Sequence, residues 1–331
     1  LQEENKNNLE VIINEKIGQA FTVLILLVFL FSGFVMAAEM DFGDLGEEFV
    51  DFDGDLVADI PAEESEWINP DTIIFSYTPV EEPSVYKNAW SDFLDYLAEV
   101  TGKEVMFYAV ENYAAQLEAL RAGRIHIAGI NTGSVPFAVN TAGVVPFAMM
   151  AAEDGSFGYE MEIITQKDSE LETLEDLEGK TIAFVSQTSN SGFKAPSAIL
   201  KSEMGYEAGK DYQTTFSGRH DNSIMGVYNG DYEVAAIANS VMHRMDASGA
   251  IDMSEIKTIY KSQTFPTTAY SYVNNLHPGL AQKIKKAFFT FDWTGTSLAA
   301  EFEDDKFIPI DYKTYWEVIR TIDRANGVEY K

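Results

Sequence analysis

Thr181-Ile-Ala-Phe-Val-Ser-Gln-Thr-Ser-Asn-Ser-Gly-Phe-Lys-Ala-Pro196 divides into three parts with different physical character. Thr181 to Val185 is β-branched and apolar, the pattern of a short buried strand. Ser186 to Ser191 is a run of small hydroxyl and amide side chains, followed by Gly192. Ser197 to Met204 then has helical spacing and stops at Gly205. A strand therefore feeds a hydroxyl-rich loop that opens a helix. The first N–H groups of a helix have no internal partner and sit at the positive end of its dipole. Ser189, Asn190 and Ser191 add side-chain donors at the same point, which makes a seat for an oxyanion. The same serines could instead act only as helix caps.

The pattern repeats on both sides of this unit. Upstream, Thr72 to Ser76 reads as a strand, Tyr86 to Val100 as one helix, and Glu104 to Val110 as a strand. Tyr113 to Ala122 reads as a helix and Ile125 to Ile130 as a strand. This βαβαβ order predicts a parallel sheet with right-handed crossovers. Ligands of such sheets bind beyond the carboxyl ends of the strands, which makes Tyr77, Thr78, Tyr113 and the run Asn131 to Ser134 candidates. Phe147 to Ala152 and Tyr159 to Thr165 are further strands around a turn at Glu153 to Gly158. Downstream come strands at Gln213 to Ser217, Tyr232 to Ala238 and Lys257 to Ser262, a helix at Ser223 to Tyr228, and helical tails at Leu280 to Phe289 and Tyr312 to Arg320. The expected architecture is α/β: two lobes joined by two strands, with a hinge and a cleft between them. Lobe 1 takes residues 71–160 with 267–331, and lobe 2 takes 161–266.

The 331 residues suffice for two such cores, and there is no cysteine, which excludes disulfides, thiolate metal sites and a lipid-anchoring cysteine. A formal charge of -30 argues against nucleic-acid binding and for a soluble, monomeric protein that is exported or salt-exposed. Any anion site must then work through short-range donors. Residues 1–38 carry an apolar run, Ala20 to Phe31, followed by Val35-Met-Ala37, and read as a cleaved signal peptide. An uncleaved anchor is the alternative, since the run to Ala38 nearly reaches spanning length. Residues 39–70 hold about a dozen carboxylates and neither Lys nor Arg, and read as a solvated acidic tether. Asp51-Phe-Asp-Gly-Asp55 has a superficial likeness to a calcium loop but lacks the full spacing and the terminal Glu, so no metal is assigned to it.

Five short signatures coincide with one family. They are Asn112 to Ala128, Asp154 to Tyr159, Ser189 to Phe193, Ser217 to Asp221 and Lys261 to Pro266. In this order and register they resemble segments of the phosphate, phosphite and phosphonate-binding proteins of ABC importers, over about residues 72 to 315. The resemblance implies a type II periplasmic-binding-protein fold, no catalysis, no cofactor, a periplasmic location and an ABC permease as membrane partner. It places ligand tyrosines at Tyr113 and Tyr159, the hydroxyl loop at Ser189, Asn190 and Ser191, and a ligand histidine at His220. Many relatives have Ser-Thr-Ser where this chain has Ser189-Asn-Ser191, so Asn190 keeps a donor but changes its type.

Hydroxyls, an amide, backbone N–H groups and an imidazole can replace the water around a phosphonyl group without burying a fixed charge. Relatives that take aminoalkylphosphonates are implied to hold the ammonium group with carboxylates at two places. Here those places fall on Ser240 and Thr268, both neutral. The expected ligand is therefore a small phosphorus oxyanion such as phosphite, methylphosphonate or phosphate, with a sulfonate as the alternative. No Gly-x-Ser-x-Gly elbow, paired metal-spaced His, Walker pattern or dinucleotide glycine pattern points to an enzyme.

Overall fold

A computed structural model describes residues 45–302 and 304–330. The export segment expected at residues 1–38 lies outside the described residues, as do residues 39–44 of the acidic stretch.

Two mixed sheets form the molecule. In the first, β1 (Thr72–Tyr77), β2 (Glu104–Phe107) and β3 (Ile127–Ile130) run parallel. β10 (Ala269–Val273), β4 (Val144–Ala151) and β11 (Lys306–Pro309) complete it in the order β11-β4-β10-β3-β1-β2. The second sheet has the order β7-β6-β8-β5-β9, with β5 (Tyr159–Gln166), β6 (Thr181–Phe184), β7 (Gln213–Phe216), β8 (Val234–Ala238) and β9 (Ile256–Phe265). The chain passes between sheets after β4 and again after β9.

The parallel arrangement expected of the βαβαβ run holds for β1 to β3, and the strands outside that run make the sheets mixed. β10 runs antiparallel to both β3 and β4, and β5 runs antiparallel to both β8 and β9. The reason is geometric. β4 ends at the cleft, so β5 must start there and run away from it, and β10 enters the first sheet in the same way. Both crossing strands are thus reversed.

Local chemistry sets the boundaries. The helix expected over Tyr86 to Val100 is two helices, Pro83–Ala89 and Ser91–Thr101, broken at Trp90. Pro83 opens the first because its fixed φ suits a helix start and its missing N–H is not needed there. The Trp90 ring is fully buried, 4.7 Å from Phe75 and 5.4 Å from Phe93, and the Ser91 hydroxyl donates back to the Asn88 carbonyl at 2.7 Å. Burying each such large ring stabilises the fold by roughly 1.5–3 kcal/mol, which outweighs an uninterrupted helix.

Residues 45–70 depart from the solvated tether expected of them. Val57 and Ala58 are buried, the Gly46 N–H donates to the Asn140 carbonyl, the Ile68 N–H donates to the Asn275 carbonyl at 2.8 Å, and the His277 N–H donates to the Ile68 carbonyl at 2.8 Å. Asn274 donates to the Asp59 carbonyl and Lys313 to that of Gly54. Val57 and Ala58 are buried against the first lobe, whereas Val50, Phe52 and Ile60 are exposed along with most of the acids. The carboxylates of Asp51, Asp53 and Asp55 converge to within 4.8 Å and accept N–H groups of Gly54, Asp55, Leu56 and Val57.

Candidate ligand-binding cleft

Between the two sheets lies a cavity of about 280 Å³. At about 30 Å³ per water this is room for roughly nine water molecules. Of the candidates singled out from sequence, its wall contains Tyr77, Tyr113, Tyr159, Ser189, Asn190, Ser191, His220, Ser240 and Thr268, whereas Thr78, Gly133 and Ser134 do not line it. Asn131 and Thr132 also line it. Each arrives from a strand end or a helix start, as expected of open α/β sheets.

The hydroxyl loop is built as a wide π-type turn, Asn190–Lys194, running into the helix Ala195–Ile199. Ser189 caps it, with its Oγ accepting the Gly192 N–H at 3.0 Å. Capping and facing the cavity are therefore not alternatives here. A hydroxyl whose lone pair serves the backbone still has its proton to give. Ser189, Asn190 and Ser191 are each at most 2 % exposed. Asn190 Nδ2 donates to the Tyr159 hydroxyl at 3.1 Å, leaving that phenol free to donate in turn.

His220 stands in the first turn of the helix His220–Asn229. Its Nδ1 accepts the Ala238 N–H at 3.1 Å, so in the neutral ring the proton sits on Nε2. That Nε2 lies 3.5 Å from Ser189 Oγ, on the cavity side. Burial, helped by the charge of Arg244, pushes His220 down to about 3. The ring is thus a neutral donor across the physiological range. Folded His220 refuses a proton that the unfolded chain accepts below its ordinary value of 6.5. Stability at this residue is therefore full above that value and is lost as pH falls from about 6.5 toward about 3. His220→Asn should flatten the acid limb of the stability curve by up to about 1.4 kcal/mol per pH unit. Urea unfolding of both proteins at several pH values across this window checks it, and parallel curves would refute it.

The tyrosines remain protonated. Burial pushes Tyr77 up to about 12, against a bond with Thr268, and it raises Tyr113 and Tyr159 as well. The Tyr113 hydroxyl is buried and has no hydrogen-bond partner among the described residues. Tyr77 is held over Gly129, where an added Cβ would come within 2.6 Å of its ring, and it packs 4.6 Å from Tyr86 and 5.7 Å from Phe302.

Several residues of the site were not expected. Arg244 lies on the wall, one turn beyond Ser240 on the helix Asn239–Ala247. Phe302 and Asp304 reach the wall from the C-terminal part of the chain. Lys194 is buried directly behind the hydroxyl loop, where its Nζ bonds the Gly133 carbonyl at 2.7 Å and Asp323 at 2.8 Å. Burial pulls Lys194 down and pushes Asp323 up, each opposed by its partner. The Ser240-to-Arg244 spacing of one helical turn was visible in the sequence; the Lys194–Asp323 pairing had no local signal.

Gly133 closes the site from the first lobe. It follows Asn131, whose Nδ2 bonds Ser134 Oγ at 2.8 Å, while Ser134 Oγ donates to Thr188 Oγ1 at 3.1 Å. A Cβ on Gly133 would lie 2.2 Å from the Thr188 carbonyl and 2.5 Å from the Asn190 nitrogen. The two lobes meet there backbone to backbone. The resulting chamber presents hydroxyls, an imidazole N–H and amide groups, with Arg244 and Asp304 also on its wall, an arrangement that can bind an oxyanion.

A family model described as ABC transporter, phosphonate, periplasmic substrate-binding protein matches residues 75–315. The chain is 28% identical to a Mycolicibacterium smegmatis protein named phosphate-import protein PhnD over 233 residues, 66% of this chain and 71% of that one. It is 27% identical to the phosphonates-binding periplasmic protein of Escherichia coli over 224 residues, 66% of each. In fold it is similar to PhnD1 of Prochlorococcus marinus, solved in complex with methylphosphonate, with a TM-score of 0.70, 20% identity, and 78% of this chain and 99% of that one covered. The two α/β lobes are those of the type II periplasmic binding fold.

Proposed function

This chain belongs to the family of periplasmic substrate-binding proteins of ABC phosphonate transporters, and from that premise we propose that its cleft captures a small phosphorus oxyanion. Phosphite, methylphosphonate and phosphate are the ligands that fit. The observation that carries the reading is the convergence of Ser189, Ser191, Tyr113, Tyr159 and neutral His220 on one cavity. Each can donate a hydrogen bond to a tetrahedral anion, and none carries a charge that would have to be desolvated.

Capture proceeds by hinge closure, with the ligand shifting the equilibrium because it makes contacts to both lobes only in the closed form. The closed form then docks as a monomer on a membrane permease, on the outer side of the membrane, after export directed by residues 1–38. The protein binds and releases its ligand unchanged; it is not an enzyme.

The neutral side chains at Ser240 and Thr268 favour a ligand without an amino group, since an ammonium buried without a partner is costly. Isothermal titration of methylphosphonate, phosphite, phosphate, 2-aminoethylphosphonate and methanesulfonate tests both levels of the reading. Methylphosphonate or phosphite should bind at least about tenfold tighter than the amino compound, a difference of about 1.4 kcal/mol. Tighter binding of 2-aminoethylphosphonate would overturn the selectivity and point to Asp304 as the partner of its ammonium. Binding of methanesulfonate alone would overturn the ligand class.

A further inference from the structure

The lip of the cleft carries two ion pairs that cross from one lobe to the other. Glu81 and Glu82 follow β1 in the first lobe. Arg219 and Arg244 belong to the second, just before the helix His220–Asn229 and on the helix Asn239–Ala247. Arg244 donates through Nη2 and Nε to one oxygen of Glu81, at 2.6 and 3.1 Å, and the Tyr86 hydroxyl donates to the same oxygen at 2.7 Å. Arg219 reaches Glu82 at 3.1 Å and Asp221 at 3.2 Å. Between the two pairs the His220 N–H donates to the Val80 carbonyl at 3.1 Å. The backbone of the ligand-facing histidine is thus fastened to the opposite lobe and flanked by both pairs.

We propose that Glu81 and Glu82 clasp Arg244 and Arg219 as the lobes close, and that this latch positions His220 against the ligand and governs its release. The inference rests on the reading of the cleft as an oxyanion site. The two pairs differ in weight. Glu81 and Arg244 have side chains 12% and 14% exposed, whereas those of Glu82 and Arg219 are 57% and 25% exposed. When the lobes part, all four charges regain water and no strong bond is broken in either lobe. When they close, the inner pair is desolvated, and losing one member strands the other charge in a dry wall. The outer pair contributes little beyond register.

The alternative role for Arg244 is direct contact with the anion, and the two make opposite predictions. If the guanidinium served the ligand, Glu81→Gln would release it and tighten binding. A latch predicts that Glu81→Gln weakens methylphosphonate binding roughly 30-fold or more, mostly through faster dissociation. Glu82→Gln should cost only about threefold. The double variant Glu81→Gln with Arg244→Gln should bind no more weakly than the worse single variant. Calorimetry and stopped-flow measurements read these values, with thermal melts confirming that each variant is folded. Unchanged or tighter binding by Glu81→Gln overturns the latch, and so do losses that simply add. Should the unmodified protein bind neither methylphosphonate, phosphite nor phosphate, the functional reading fails on its own. Solution scattering then decides the latch: it predicts a larger radius of gyration for Glu81→Gln than for the unmodified protein, and equal radii refute it.

Discussion

Gly133→Ala is expected to weaken binding of methylphosphonate by at least about 100-fold while leaving both lobes folded. The added methyl group would meet the Thr188 carbonyl oxygen at 2.2 Å, the Asn190 nitrogen at 2.5 Å and the Ser189 carbonyl carbon at 3.0 Å. All three are backbone atoms, so no rotamer change relieves the contact. The hydroxyl loop must draw back from the first lobe by about 1 Å, and hydrogen bonds to a charged ligand are each worth about 1.5–3 kcal/mol. Loss of two of them gives the stated factor. Because the clash lies between lobes, the melting temperature of the ligand-free protein should change little. Titration calorimetry supplies the test, and an affinity within about threefold of the unmodified protein would show that the lobes do not meet at Gly133.

The second large effect is expected at the pair behind the loop. Asp323→Asn should lower folding stability by about 3 kcal/mol or more, because it leaves Lys194 charged and buried with its main partner gone. Both side chains of the pair are only 1% exposed. Lys194 would keep the Gly133 carbonyl and the face of Phe137, 4.8 Å away, which cannot replace a carboxylate. Tyr330, whose hydroxyl donates to Asp323 at 2.9 Å, would lose part of its anchor as well. Replacing both members, Lys194→Met with Asp323→Leu, should recover most of the loss, since an apolar pair of similar volume carries no desolvation cost. Urea denaturation of the three proteins checks this, and a change under about 1 kcal/mol for Asp323→Asn would contradict it.

What the sequence made legible was local. β6 and the loop Ser189 to Ser191 were readable because a β-branched run, small polar residues and a helix start are all short-range signals. The five signatures then placed Tyr113, Tyr159 and His220 in register with that loop, and the structure brings them to one cavity. The break at Trp90 was hidden because Ala89, Trp90, Phe93, Leu94 and Leu97 keep helical spacing straight through it. β11 was missed because Lys306–Pro309 is four residues long, and its partner β4 lies far upstream. The acidic stretch misled through its average: a dozen carboxylates outweighed Val57, Ala58 and Ile68, which are the residues that seat it on the first lobe. Partners distant in sequence were the least accessible. Glu81 and Arg244 are 163 residues apart, and Lys194 and Asp323 are 129 apart, so only the folded chain pairs them.

A crystal structure of the protein grown with methylphosphonate tests the central claim most directly, that uncharged donors hold an anion inside a molecule of formal charge -30. The account predicts phosphonate oxygens within about 3 Å of Ser189, Ser191, Tyr113 and His220 Nε2, with no Lys or Arg nitrogen among the direct contacts. A phosphonate seated on the Arg244 guanidinium, or outside the gap between the lobes, would contradict it.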